Sequence, residues 1–357
     1  ETFESPVDAS VQYYGVQGPA NWMDAEPLAG VLSLHGAGVE GIGQARAYSK
    51  HEDTVIITPT NRRPFGFDWE EWGRLNALAA LDDAMSKSPI DATRVYLTGH
   101  SMGGHGTWHV GVTTPGRFAT LGPSAGWSSF QTYTGRAAPR GAFARARAHS
   151  TTNNYVSNLA RRGAYVIHGS ADDNVPVREG RDMVELVSQV TDDVEYHEEE
   201  GAGHWWDGDA SPGADCVDWP PLFEFMNARR LDPEELDFDF KTPAPSYSPH
   251  HSYVTLQSAV TPFEDTRVVS SRAGDTVTLT TENARSLHLD GALLTRQGIA
   301  TVVVDGTDHE VVDDWMQIGP ETGKRLGQQG PYNQVYRAPF CFIYADGKPF
   351  YQSYAGW

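Results

Sequence analysis

A serine stands between two glycines in the segment Thr98-Gly99-His100-Ser101-Met102-Gly103-Gly104. A short apolar run, Val95–Thr98, precedes it, and a helical pattern, Met102–Val112, follows it. In that strand–turn–helix setting the spacing G-x-S-x-G reads as a nucleophile elbow, although the chain holds 36 glycines. The turn is so tight that its serine is expected in strained backbone angles, with Gly99 and Gly103 leaving room for the neighbouring helix and strand. It lifts the Ser101 hydroxyl to a helix N-terminus, where developing negative charge is favoured.

A serine hydroxyl is a poor nucleophile near neutral pH and needs a base, itself oriented by a carboxylate. After such an elbow the expected order is acid, then histidine. The segment Tyr165-Val-Ile-His168-Gly169-Ser170-Ala171-Asp172-Asp173-Asn174-Val175-Pro176 supplies two aspartates. Asp172 is preferred because H-G-x-x-D-x-x-V-P then falls in register, and Asp173 reads as a loop carboxylate or cap. The base is expected after a late strand, Val194–Glu199, in Gly201-Ala202-Gly203-His204. His204 is singled out of 13 histidines by order and setting. His35, His100, His105 and His168 read as structural neighbours that satisfy backbone groups.

Acyl transfer also needs two N–H donors where the oxyanion forms. One is expected from Met102 and the other from the loop Leu34-His35-Gly36-Ala37-Gly38, with Ala37 preferred and Gly38 the alternative. Trp127, Phe130, Trp205 and Trp206 are candidates to line an aromatic-friendly cleft, or else are scaffold. Asp207, Asp209, Ser211, Asp215 and Asp218 have roughly the spacing of a calcium loop. Pro212 stands where such a loop wants glycine, so they read as a solvated acidic loop and no metal is expected.

These residues need a scaffold. Val31–Leu34, Val55–Thr58, Val95–Thr98, Ala119–Pro123 and Ala164–Ile167 are short apolar runs bounded by turn residues, as in strands buried on both faces. Helical patterns lie between them: Trp72–Ser86 carries Trp72, Leu75, Leu78, Ala79 and Met85 near helical spacing, and Arg178–Val190 is similar. Alternation of this kind implies a mainly parallel sheet flanked by helices, an α/β fold over 1–240. Residues 128–158 break the rhythm with Phe130, Tyr133, Phe143 and Tyr155 among arginines, and read as a lid, a binding surface or a surface excursion.

Prolines 243, 245 and 249 mark 241–249 as an extended linker. Beyond it the period changes to two: Ser252–Gln257, Thr266–Ser270, Asp275–Thr281, Ala300–Asp305 and Phe340–Tyr344 predict a small all-β, sandwich-like domain over 250–357.

The formal net charge of −20, with only five lysines among 27 bases, argues against a nucleic-acid partner and against adhesion to anionic lipid. No apolar run reaches the length of a membrane span. Cys216 and Cys341 are too few for a disulfide framework; they read as two small buried thiols, or as a pair should the domains touch. A chain that starts at Glu1 with no apolar leader reads as a processed or excised form, which leans towards a secreted or periplasmic protein.

The three motifs and the glycine loop resemble those of the α/β-hydrolase superfamily. Gly99–Gly106 is similar to the elbow of the esterase D and feruloyl esterase type, and residues 11–230 also resemble prolyl-oligopeptidase-family serine peptidases. The resemblance covers roughly the first two thirds of the chain. It implies a serine esterase working through an acyl-enzyme, without metal or organic cofactor, on a small-molecule or polysaccharide-linked ester. Only about ten residues precede the first expected strand, leaving no room for the propeller of prolyl oligopeptidases. The β domain is similar to extensions in large multidomain bacterial hydrolases, so the chain reads as a piece of something longer. The rival readings are a propeller-less peptidase and a binding module whose hydrolase site has decayed.

Overall fold

The computed structural model describes residues 1–24 and 27–321, together with 323 and 326. Eight strands form one sheet: β1 (Thr2–Glu4), β2 (Val11–Gln17), β3 (Leu28–Leu34), β4 (Thr54–Pro59), β5 (Ile90–His100), β6 (Thr120–Ser124), β7 (Gly163–Gly169) and β8 (Val194–Glu199). Their order is β1-β2-β4-β3-β5-β6-β7-β8. The two leading strands pair antiparallel, and every pair from β4 to β8 is parallel. Strands β3, β4 and β6 are buried along their whole length, which is why they read as unbroken apolar runs. Helices α1 (Gly41–Ala45), α2 (Glu71–Lys87), α3 (Met102–Thr113), α4 (Phe130–Thr134), α5 (Ala142–Ala146), α6 (Arg178–Val187) and α7 (Pro220–Asn227) accompany the sheet. The expected helices at 72–86 and 178–190 are α2 and α6, the latter ending three residues sooner.

The chain runs outward from β3 to β4, then crosses back to place β5 on the other side of β3. The point of reversal therefore lies between β3 and β5, and open α/β sheets bind ligands there, outside the carboxyl ends of the strands. Leu34 and Gly99 are in register at those ends, so the glycine loop and the elbow begin side by side.

Two further sheets follow. One has the order β10-β11-β14-β17 and the other β16-β15-β13-β12-β9. They are built from β9 (Phe238–Thr242), β10 (His250–His251), β11 (Val254–Ala259), β12 (Thr266–Ala273), β13 (Thr276–Glu282), β14 (Ala284–Asp290), β15 (Thr301–Val304), β16 (Thr307–Glu310) and β17 (Trp315–Ile318), with one helix, α8 (Gly291–Arg296). A single core joins the two sheets: Phe240, Leu256, Val268, Leu279, Leu289 and Val302 all belong to it. That is a sandwich, and the period-two patterning has its cause in the alternation BiBiB of β9 and the start of β12. The strand expected at Phe340–Tyr344 and Cys341 lie outside the described residues. Cys216 is a free, buried thiol whose burial pushes it up to about 12.

The expected linker differs from the observed one. Its first residues belong to β9, which pairs with β12. Pro243–Pro245, Tyr247 and Ser248 are buried. Tyr247 Oη accepts the Glu71 N–H at 3.2 Å and meets His109 Nε2 at 2.7 Å. Ser248 donates to the Thr113 carbonyl at 2.8 Å, and the Arg74 guanidinium lies over the Tyr247 ring. The prolines mark a strap laid on the first part of the chain, not a spacer held in water. Asn158 completes the seam: its side chain donates to the carbonyls of Val112 and Lys241 and accepts the Lys241 N–H.

Candidate active site

Ser101 sits at the elbow between β5 and α3 with φ 61° and ψ −120°, a region that side chains rarely adopt. The glycines around it make that geometry possible. A Cβ on Gly99 would lie 2.6 Å from the Leu34 carbonyl oxygen, and one on Gly103 would collide with the same carbonyl. The Ser101 N–H donates to Ser124 O at 2.9 Å, anchoring the turn to β6.

His204 follows β8 in a loop that begins with Gly201, whose φ is 75°. Its Nε2 lies 2.9 Å from Ser101 Oγ and its Nδ1 2.8 Å from Asp172 Oδ2. A carboxylate only accepts, so Nδ1 carries the proton and Nε2 presents its lone pair to the serine hydroxyl. Asp172 comes from the turn after β7, and its side chain has no exposed surface. Its other oxygen accepts the N–H groups of Asn174 and Val175 at 2.9 and 2.8 Å. Burial alone would push this carboxyl up. The hydrogen bonds from His168, His204 and the two backbone donors outweigh it and hold the carboxyl well below the usual aspartate range. Asp173 is exposed and does not meet His204.

The four histidines expected as neighbours are indeed tied to local groups. His35 Nδ1 meets Gly36 O at 2.9 Å, His105 Nδ1 meets Trp127 O at 3.0 Å, and His168 Nε2 meets Val175 O at 2.9 Å. His100 bonds Ser124 Oγ at 3.0 Å, and that hydroxyl spends its own proton on Cys216 O at 2.6 Å. His100 Nδ1 therefore donates. Burial, then the neighbouring His204, drive its pKa down to about 3. It stays neutral and does not compete with His204 for a charge.

A cavity of about 510 Å³ opens onto Ser101 and His204. Gly36, Ala37, Val39, Ala47 and Trp205 give it a mainly apolar wall, with Arg46 at its side. The Gly38 N–H is spent on Pro64 O at 3.0 Å, while that of Ala37 has no partner among the described residues. Met102 opens α3, so its N–H has no partner within the helix. The N–H groups of Ala37 and Met102 thus both lack a backbone partner among the described residues.

Of the aromatic residues expected in the cleft, only Trp205 lines it, half exposed at 51%. Trp127 is buried in the core, stacked between His105 and Tyr133. Phe130 and Trp206 pack against cores as well. Hydrophobic burial claims these rings because their chain segments lead inward. Residues 128–158 supply no wall of the cavity. Their start is bound to α6 by Thr132 and the Ser128 N–H, both on Glu179. The acidic residues are engaged as well: Asp215 accepts the Gly208 N–H and Asp209 that of Ser211 within the loop, while the buried Asp218 accepts the N–H of the distant Ser49. Among the described residues no group of three or more metal-ligating side chains is assembled.

Trp69 is the residue that sequence reading missed. Its Nε1 donates to the His35 carbonyl at 3.0 Å, and nothing in the residues around it marks that role.

The sequence pattern of the prolyl oligopeptidase family matches residues 63–215. A secreted, uncharacterised protein of Arthroderma benhamiae is 26% identical over 308 residues, which are 78% of this chain and 32% of that protein. The chain thus spans about a third of the length of that curated relative. An acylaminoacyl peptidase in complex with a chloromethyl ketone shares the architecture at a TM-score of 0.50 and 15% identity, over 65% of this chain and 41% of that one. A thermostable esterase aligns at a TM-score of 0.46 and 20% identity, over 64% of this chain and 62% of that one. The fold shared with the acylaminoacyl peptidase is that of the α/β-hydrolases. No helix among the described residues is long and apolar enough to cross a membrane.

Proposed function

We propose that this chain, a serine hydrolase of the α/β-hydrolase superfamily, is a carboxylic-ester hydrolase that works through an acyl-enzyme. The carrying observation is the unbroken hydrogen-bonded line Ser101–His204–Asp172 at the base of an apolar cavity. Ser101 Oγ attacks the ester carbonyl as His204 Nε2 takes its proton, and Asp172 steadies the imidazolium. The N–H groups of Met102 and Ala37 receive the oxyanion. His204 then gives its proton to the leaving alcohol, and water repeats the attack on the acyl-enzyme.

The cavity wall favours an ester over a peptide with a free amino end. Among the described residues lining it, none is a carboxylate that would hold an ammonium group. Trp205 offers an exposed ring to an acyl or aromatic group, including one carried on a polysaccharide. Export from the cell is part of this reading, supported by the secreted relative.

Ser101→Ala should abolish both the burst of nitrophenol from p-nitrophenyl acetate and labelling by a fluorophosphonate probe, with turnover falling at least about 10³-fold. Full turnover in that variant would overturn the assignment. Faster hydrolysis of a proline anilide than of p-nitrophenyl acetate by the wild type would favour the peptidase instead.

A further inference from the structure

The two free N–H donors arise from separate pieces of chain, the loop after β3 and the first turn of α3. Strand pairing holds them in register only as far as Leu34 and Gly99. Beyond that point a side chain joins them. The Trp69 indole is fully buried, and its Nε1 donates to the carbonyl of His35, two residues before Ala37, at 3.0 Å. Its ring meets that of His35 edge-on, with centroids 4.8 Å apart. The other side of Trp69 rests on α3 at Gly106, where an added Cβ would fall 2.5 Å from the indole. The indole is thus wedged between the loop and the helix.

The backbone that delivers it is strained. Asn61, Arg62, Gly66, Asp68, Trp69 and Glu71 all have positive φ, Trp69 at 61°. Such angles persist only where the surroundings over-determine them. Here Asn61 Oδ1 accepts the Phe67 N–H, and the Pro64 carbonyl occupies the Gly38 N–H, leaving that of Ala37 as the donor open to a ligand.

We propose that Trp69 is a positioning residue which sets the separation of the two oxyanion donors by spacing the β3 loop from the nucleophile helix. The inference rests on the esterase reading above. Trp69 touches no reacting atom; it acts through the His35 carbonyl and the Gly106 face of α3.

Trp69→Phe keeps an aromatic ring in the core and removes the N–H. The expected result is a kcat about tenfold lower with KM within about twofold, since misplacing a donor penalises the transition state and not the bound substrate. A boronic acid, which mimics the tetrahedral species, should lose affinity by the same factor. Replacing Trp69 alone with 3-benzothienylalanine, which has the shape of tryptophan but sulfur for N–H, should reproduce the loss, and it decides the matter should Trp69→Phe fail to fold. Wild-type kcat in the benzothienyl protein, or a loss carried by KM with boronate affinity unchanged, overturns the proposal. Turnover surviving in Ser101→Ala would instead sink the esterase reading, independently of Trp69.

Discussion

Asp172 holds a charge where its side chain meets no water, and four donors surround it. Asp172→Asn keeps the shape but lets His204 take the wrong tautomer, so kcat should fall by about 10³- to 10⁴-fold while near-ultraviolet circular dichroism stays unchanged. Folding holds the carboxyl below its unfolded value of about 4, so its stabilisation is complete above that value and is lost as pH falls towards the folded one. Thermal melts from pH 6 down to pH 2.5 should therefore show the wild-type advantage over Asp172→Asn shrinking in acid. Residues of this kind were legible because chemistry constrains their type, their order and the strand each one follows. Trp127 and Trp69 were not, because a tryptophan's letter does not say whether its ring faces a cleft, a core or a loop carbonyl.

The elbow is an element that works only with glycine at set places. Gly103→Ala would drive a Cβ into the Leu34 carbonyl, which belongs to the central strand and has nowhere to go. A loss of about 3 kcal/mol or more is expected in denaturant unfolding, enough to leave much of the protein insoluble. Strands β3 to β7 announced themselves through continuous apolar runs that both faces of the sheet bury, whereas the edge strand β8 is polar and only half-buried. The misses have equally physical causes. Phe238–Thr242 straddles the boundary drawn at 240 between the α/β region and the expected linker, where no strand is expected, although its alternation BiBiB marks a half-buried one. In Ala284–Asp290 the register shifts against β11 and the exposed Arg285 interrupts the alternation, which masks the pattern. The turns of 61–71 rest on positive φ at residues other than glycine, which composition does not reveal.

Across the whole molecule the seam between the first sheet and the sandwich is polar as well as buried. Glu235 is buried between Arg162 and His251, the latter at 2.9 Å. Burial raises its carboxyl, but these two partners more than reverse the effect. Tyr247→Phe would strip the Glu71 N–H and His109 of a shared buried partner. It should cost about 1–3 kcal/mol in thermal or denaturant unfolding. Cutting the chain after residue 231 would take from the Asn158 amide both of its bonds to Lys241, and from the Thr113 carbonyl its Ser248 donor. The fragment is expected to aggregate on expression, as size-exclusion chromatography would read directly.

The buried strap also governs how the molecule moves. A connection in which Pro243, Pro245, Tyr247 and Ser248 are packed away offers no pivot, so the hydrolase sheet and the sandwich should tumble as a single particle. Amide ¹⁵N relaxation would then return one rotational correlation time for both, rather than the two separate times of beads on a string.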